Sequence, residues 1–357
     1  MSLLSYSMRL SFGGLALIGA DLYTSSAHAA ATIWNLGTLG GLNSSAFAIN
    51  ASGQVAGYSD LADGTYHAFL YTGTPGSGGV MHDLGILGGI YSEAYAINAS
   101  GQVAGYSPLN GDVYHAFLYT GTPGSGGVMH DLGTLGGSYS MGSAINASGQ
   151  VAGYSALEGN YKNYAFLYTG TPSSGGVMHN LGTLGGSYSG GSAINASGQV
   201  AGYSDLDNGT SHAFLYTGTP GSDGVMHDLG TLGGLYSAAY AINASGQVAG
   251  YSDLDSLGNS RAILYTGTPG LDGTMIDLDA WLKANNSAEG AKWSLYDARA
   301  ISDTGMIAGN GYYDDGLGNS GYRAYVLDAS ALVPEPAVMS LLAGVAASAL
   351  LRRSRRA

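Results

Sequence analysis

Cysteine is absent from the 357 residues, which excludes disulfides, thiolate nucleophiles and cysteine-ligated zinc. Charge is scarce as well: 10% of residues are charged, with 11 Lys and Arg against 24 Asp and Glu. The net charge of −13 leaves no basic face for phosphates, so nucleic acid is not an expected partner. A disordered chain combines low hydrophobicity with many charges. Here 45% of residues are hydrophobic, so an ordered body is expected. No His-Glu-x-x-His pattern, phosphate loop or Gly-x-Ser-x-Gly elbow occurs. What is abundant is glycine, with 61 residues, and tyrosine, with 27.

The two ends read as addresses. Arg9 precedes an apolar run over 10–20, and Ala27-His28-Ala29-Ala30 supplies the small residues of a cleavage site. This is the layout of a secretory signal peptide over 1–30, read by a Sec-type export machinery. At the other end Pro334-Glu335-Pro336 breaks any preceding structure, 337–351 is uncharged and apolar, and Arg352, Arg353, Arg355 and Arg356 follow. A helix of that length spans about 22 Å, less than the roughly 30 Å hydrocarbon core. The arginines would hold the cytoplasmic side and leave residues 31–333 outside. This tail resembles the PEP-CTERM sorting signal of Gram-negative bacteria. The resemblance implies an exosortase-like protease that cuts near the motif, a transient stay in the inner membrane, and release to the cell surface or an exopolysaccharide-rich matrix. A permanent single-span anchor is the alternative.

Between the ends one unit recurs six times. Ala-Ile-Asn-Ala-Ser-Gly-Gln-Val-Ala-Gly-Tyr-Ser starts at Ala48, Ala96, Ala144, Ala193 and Ala241, and a diverged copy starts at Ala300. His-Ala-Phe starts at His67, His115 and His212, with Tyr164, Arg261 and Arg323 in the other copies. A Met-His-Asp-Leu-Gly run recurs around Met81, Met129, Met178 and Met226, with Ile33-Trp34-Asn35-Leu36-Gly37 as its first version. Each unit reads as four short strands, in the first near 32–36, 46–50, 54–59 and 67–72, bounded by turn residues. Asn50-Ala51-Ser52-Gly53 signals a hairpin, with Asn bonding the backbone and Gly taking positive φ; 74–79 reads as a longer loop. The expected fold is all-β, a six-bladed β-propeller, with an open or solenoid-like array as the alternative. Ala56 and Gly57 are expected to let neighbouring sheets approach. The sixth unit carries an insertion over 279–286 that suits one or two helical turns.

These motifs resemble the HAF-type extracellular repeat over about 32–330, through His67-Ala68-Phe69, His115-Ala116-Phe117 and His212-Ala213-Phe214 and the segments around them. The resemblance implies an exported bacterial repeat protein with no assigned activity or catalytic residues.

Candidate chemistry is sparse. Histidines at repeat positions suit hydrogen bonding and packing, since one catalytic site needs one constellation. Asp205 and Asp207, and Asp253 and Asp255, lie in acidic Gly-containing loops that offer oxygen ligands for calcium or simply form solvated turns. Tyr58, Tyr106, Tyr154, Tyr203 and Tyr251 recur one per unit; facing outward they would stack sugars, and otherwise they pack. Lys292, Trp293, Asp297 and Arg299 are peculiar to the sixth unit and are the only residues an enzyme acting on extracellular carbohydrate would have to use. The expected function is a non-catalytic surface or matrix protein that binds exopolysaccharide or builds biofilm.

Overall fold

The computed structural model describes residues 32–111, 113–159 and 162–333. The segment 1–30 read above as a signal peptide, with Ala27, Ala29 and Ala30, and the tail from Pro334 to the four arginines lie outside the described residues. The chain divides into two compact units, Met1–Trp34 and Asn35–Ala357, and the fold below is that of the second.

The fold is all-β. In the first sheet β1 (Gly40–Ile49), β2 (Val55–Leu61), β3 (Tyr66–Thr74) and β4 (Ser77–Asp83) pair antiparallel in chain order. The same order recurs around Val103–Pro108, Val151–Leu157, Val200–Leu206 and Val248–Asp253. A sixth sheet has three strands, Trp293–Ile301, Met306–Asp314 and Ser320–Asp328. The unit boundaries therefore differ from the sequence expectation. Residues 32–36 form no strand, and the Met-His-Asp run forms the fourth strand of the sheet that precedes it. Residues 74–79 do join two paired strands as a hairpin, but with a shorter loop than expected. Strand pairing continues to Thr74 and Ser77, because Pro75-Gly76 closes a tight turn with Gly76 at φ 74°.

Sheets stack face to face. Val, Ala, Phe, Leu and Tyr alternate along the strands, so each sheet has two apolar faces and both need cover. Ala56, Ala68 and Leu70 on one face of the first sheet pack against Val103, Phe117 and Tyr119 on the facing side of the second. Equivalent clusters join the second to the third, the third to the fourth, the fourth to the fifth and the fifth to the sixth. Fully burying each such Leu or Phe stabilises by roughly 1.5–3 kcal/mol.

Ala56 lies at this interface, as expected, but Gly57 is small for a different reason. A Cβ there would run into the Ser45 carbonyl of the neighbouring strand, beside a bulge where Phe47 is looped out of register. The outer face of the sixth sheet is bare: Val326, at the position of buried Leu70, is 70% exposed. Among the described residues no apolar cluster joins the sixth sheet to the first.

The inserted segment folds as α1 (Leu278–Asn285), begun by Asp277, whose side chain accepts from the Ala280 N–H, and a short α2 (Ser287–Gly290). Leu278 is buried in the last inter-sheet cluster.

Candidate functional site: a tyrosine seam and an inter-sheet cleft

The five repeated tyrosines do not stand outward. Opposed pairs in a sheet share a face, and Tyr58 opposes Ala68, so its ring lies on the face that packs against the next sheet. The rings are wedged at the mouths of the inter-sheet gaps, half-buried, and of the five only Tyr203 is exposed, at 39%.

The structure joins three of them through residues that sequence reasoning missed. Tyr58 meets Tyr66 (ring centroids 5.3 Å apart), Tyr66 meets Tyr91 (4.8 Å), Tyr91 meets Tyr106 (6.1 Å) and Tyr114 (6.3 Å). Tyr114 meets Tyr139 (5.9 Å), and Tyr139 meets Tyr154 (5.6 Å). Phe47, the bulge residue, stacks on Tyr95 of the next sheet at 5.1 Å. The result is one aromatic seam across the first three sheets. The signal for Tyr66 and Tyr114 was their place directly before His67 and His115; for Tyr91 and Tyr139 it was the Gly-Gly-x-Tyr-Ser run.

Glu93 is the one carboxylate inside this seam whose hydrogen bonds hold it. The hydroxyls of Tyr95 and Tyr106 both donate to it, the latter at 3.0 Å. Burial first, and then the Glu93 charge, push the Tyr106 hydroxyl far above the ordinary phenol range. Tyr95 moves the same way, by burial and by its hydrogen bond to Glu93. Burial together with Tyr114 pushes Tyr91 up to about 12. In the third unit Met141 takes the place of Glu93, and the Tyr154 hydroxyl lies 3.0 Å from its sulfur.

Between the fourth and fifth sheets the seam opens. Tyr203, Ser211, Ser237, Ala238, Tyr240 and Tyr251 line a cavity of about 280 Å³. Tyr240 and Tyr251 stack at 5.7 Å, and Arg299 from the sixth sheet lies 4.1 Å over the Tyr240 ring. Arg299 is itself paired with Asp297 at 2.8 Å. A second cavity of about 370 Å³ lies in the sixth unit, lined by residues that include Leu282, Glu289, Trp293 and Val326.

The repeated histidines are structural pairs. Nδ1 of His67, His115 and His212 bonds Asp83, Asp131 and Asp228 at 2.8–2.9 Å. Where Tyr164 replaces the histidine, Asn180 replaces the aspartate. Burial raises Asp131, but the His115 bond and the Gly133 N–H outweigh it and hold that carboxyl below its usual range. The second histidine set bonds threonine, as in His82 to Thr72 at 2.9 Å.

Two of the four loop aspartates are held by partners within their own loop. Asp255 accepts from the Leu257 N–H at 2.9 Å and from the Asn259 amide at 2.7 Å. Asp253 is buried and accepts from Ser260. Asp205 is half-buried and Asp207 exposed. Among the described residues no group of three or more His, Asp or Glu side chains is placed to hold a metal ion, so these four aspartates are not brought together as a calcium site.

The residues peculiar to the sixth unit are also engaged separately. Lys292 pairs with Glu289 at 2.8 Å, Asp297 with Arg299, and Trp293 packs on Tyr313 and Tyr325.

No family model matches the chain, and no curated protein matches it. Among solved structures, a mutant of the Aleuria aurantia lectin AAL in complex with Fucα1-6GlcNAc is similar at 16% identity, over 82% of this chain and 97% of that one, with a TM-score of 0.36. At that score the likeness carries no argument, and the readings below rest on this chain's own residues.

Proposed function

We propose that this chain is an exported, non-catalytic surface or matrix repeat protein of Gram-negative bacteria that holds exopolysaccharide along its tyrosine seam. The observation that supports it most is the run of touching rings from Tyr58 to Tyr154. The rings pack on one another, so what they offer a polysaccharide at the mouths of the gaps is their uncovered edges and hydroxyl tips. The test is co-sedimentation with purified exopolysaccharide. Replacing the seam residues Tyr91 and Tyr114 by Ala should each weaken retention several-fold, and unchanged retention in both would overturn the reading.

Export and sorting rest on the two terminal signals. Intact-mass measurement of surface material should give a chain from about residue 30 or 31 to about residue 335. A C-terminus at Ala357, stably in the inner membrane, would favour the permanent anchor. Closure into a propeller-like ring rests on repeat equivalence. The sixth sheet has three strands, and Asn35-Leu36-Gly37 stand at the positions of Asp83-Leu84-Gly85, where the fourth strand of the first sheet ends at Asp83. Leu36→Cys with Ala324→Cys, at the positions of Leu84 and Ala68, should form a disulfide if the ring closes in the mature protein. The Leu84 N–H donates to the Ala68 carbonyl at 3.0 Å.

A further inference from the structure

The cavity between the fourth and fifth sheets has a filled counterpart elsewhere in the same molecule. Position by position, Tyr203, Ser211, Ser237, Ala238, Tyr240 and Tyr251 correspond to Tyr58, Tyr66, Ser92, Glu93, Tyr95 and Tyr106. Four of the six positions keep their residue. The two that change are Tyr66, which becomes Ser211, and Glu93, which becomes Ala238. Between the first and second sheets the Tyr66 ring sits among Tyr58 and Tyr91, and the Glu93 carboxylate accepts from Tyr95 and Tyr106. Between the fourth and fifth sheets both groups are gone, and about 280 Å³ is open in their place.

The groups that held them remain. Tyr240 and Tyr251 are still present and still stacked. Their hydroxyls, and that of Ser211, make no hydrogen bond among the described residues. Ser237 is different: its hydroxyl donates to the Gly230 carbonyl at 2.6 Å and accepts from the Ala213 N–H, so it is spent. What the cleft lacks is thus a six-membered ring carrying a carboxylate. A sugar that supplies both in one residue is a hexuronic acid.

We propose that this cleft binds a hexuronic acid residue of an acidic polysaccharide, its pyranose ring in the place that Tyr66 fills and its carboxylate in the place that Glu93 fills. The inference rests on the polysaccharide reading above and names the class of sugar. The pyranose ring lies beside Tyr203 and Tyr236, the counterparts of Tyr58 and Tyr91, and the carboxylate accepts from Tyr240 and Tyr251, the counterparts of Tyr95 and Tyr106. Phenol-to-carboxylate hydrogen bonds are charge-assisted and stronger than neutral ones. Like any phenol, both hydroxyls are protonated and able to donate at neutral pH, and burial moves their pKa values further up. Arg299, 4.1 Å above the Tyr240 ring, adds a nearby cation in a chain whose net charge is −13. Its partner Asp297 offsets part of that charge, so the hydroxyls carry most of the selectivity.

The test titrates the full chain with methyl glycosides of glucuronic, galacturonic and mannuronic acid, each against its neutral hexose counterpart. At least one uronide should bind about tenfold or more tightly than its neutral partner. The double variant Ser211→Tyr with Ala238→Glu copies the filled site and should abolish that binding while thermal melting stays within a few degrees. Tyr251→Phe keeps the ring and removes one donor, and should narrow the gap between uronide and neutral sugar. Equal binding of both sugars, no binding of any, or full binding by the filled variant would overturn the proposal. The filled variant keeps the seam of the first three sheets intact. Its retention of whole exopolysaccharide therefore reports on the general function separately: retention lost from the seam variants alone would leave the cleft proposal to stand or fall on the glycoside titration.

Discussion

The side-chain amide of Asn98 donates to the backbone carbonyl of Asn146, 48 residues further on, at 3.0 Å. The same bond runs from Asn50 to Asn98, from Asn146 to Asn195, from Asn195 to Asn243 and, lengthened to 3.4 Å, from Asn243 to Ser302. Each asparagine also closes its own hairpin. Asn146 Oδ1 accepts from the Ser148 and Gln150 N–H groups, and its amide donates to Gln150 Oε1 at 2.6 Å. One side chain therefore fixes a turn and ties it to the next sheet.

Asn146→Ala should cost more than an ordinary surface turn residue. It takes the acceptor from the Ser148 and half-buried Gln150 N–H groups and one of two donors from the carbonyl of buried Asn195, and leaving such a group unsatisfied costs about 1–3 kcal/mol. Chemical denaturation should show a total loss of about 2–4 kcal/mol. Asn50→Ala, at a half-buried end of the ladder, should cost less. Both asparagines make the inter-sheet bond, so equal effects at the two sites would mean that burial does not set its worth.

Gly149 ends the same turn at φ 79°, and a Cβ there would lie 3.0 Å from Gln102 Oε1 of the preceding sheet. Gly149→Val combines backbone strain with that contact and should destabilise by about 1–3 kcal/mol. Gly149→Asn should cost less, because asparagine tolerates the left-handed region better than a β-branched residue.

The tyrosine seam should weaken in alkali. Tyr95 and Tyr106 have raised hydroxyl pKa values, chiefly from burial and then from Glu93. A raised folded value means that the stabilisation is complete below the unfolded phenol range, near pH 10, and is lost as pH rises through the folded value. Melting temperature should therefore fall above about pH 10. Glu93→Gln removes the charge but keeps an acceptor, so tyrosinate absorbance should then appear at lower pH. An unchanged titration would show that burial alone sets these values.

Acid should act at Asp131, the partner of His115. Asp131 is held below the ordinary carboxylate range, so its contribution is present above the unfolded value and lost as pH falls through the folded one. Thermal stability should drop as pH falls below about 4, and Asp131→Asn should flatten that part of the profile. The third unit already carries the neutral pair Tyr164 and Asn180, so this change has a native precedent.

The repeat was legible because copied residues announce themselves. The spacing of the Asn-Ala-Ser-Gly turns, the strand period and the positive φ at Gly149 and Gly198 all follow from local chemistry, and the structure has them. So does the helix at Leu278–Asn285, where Asp277 caps an apolar segment. Local pattern does not decide which strand belongs to which sheet. The Met-His-Asp run reads equally well as the start of one unit or the end of the one before, and only pairing of Phe69 with Asp83 settles it.

The direction of the tyrosines is likewise a tertiary property. Tyr58 alternates correctly for either face, and it points into the inter-sheet gap because its neighbours Ala56 and Ala68 do. The sequence by itself determined a stack of near-identical all-β sheets, since turn chemistry and alternation act within a few residues. Only the tertiary structure decided that Tyr66 and Glu93 fill one gap while Ser211 and Ala238 leave another open. The members of each pair lie 27 residues apart, in consecutive sheets, and meet only when those sheets pack.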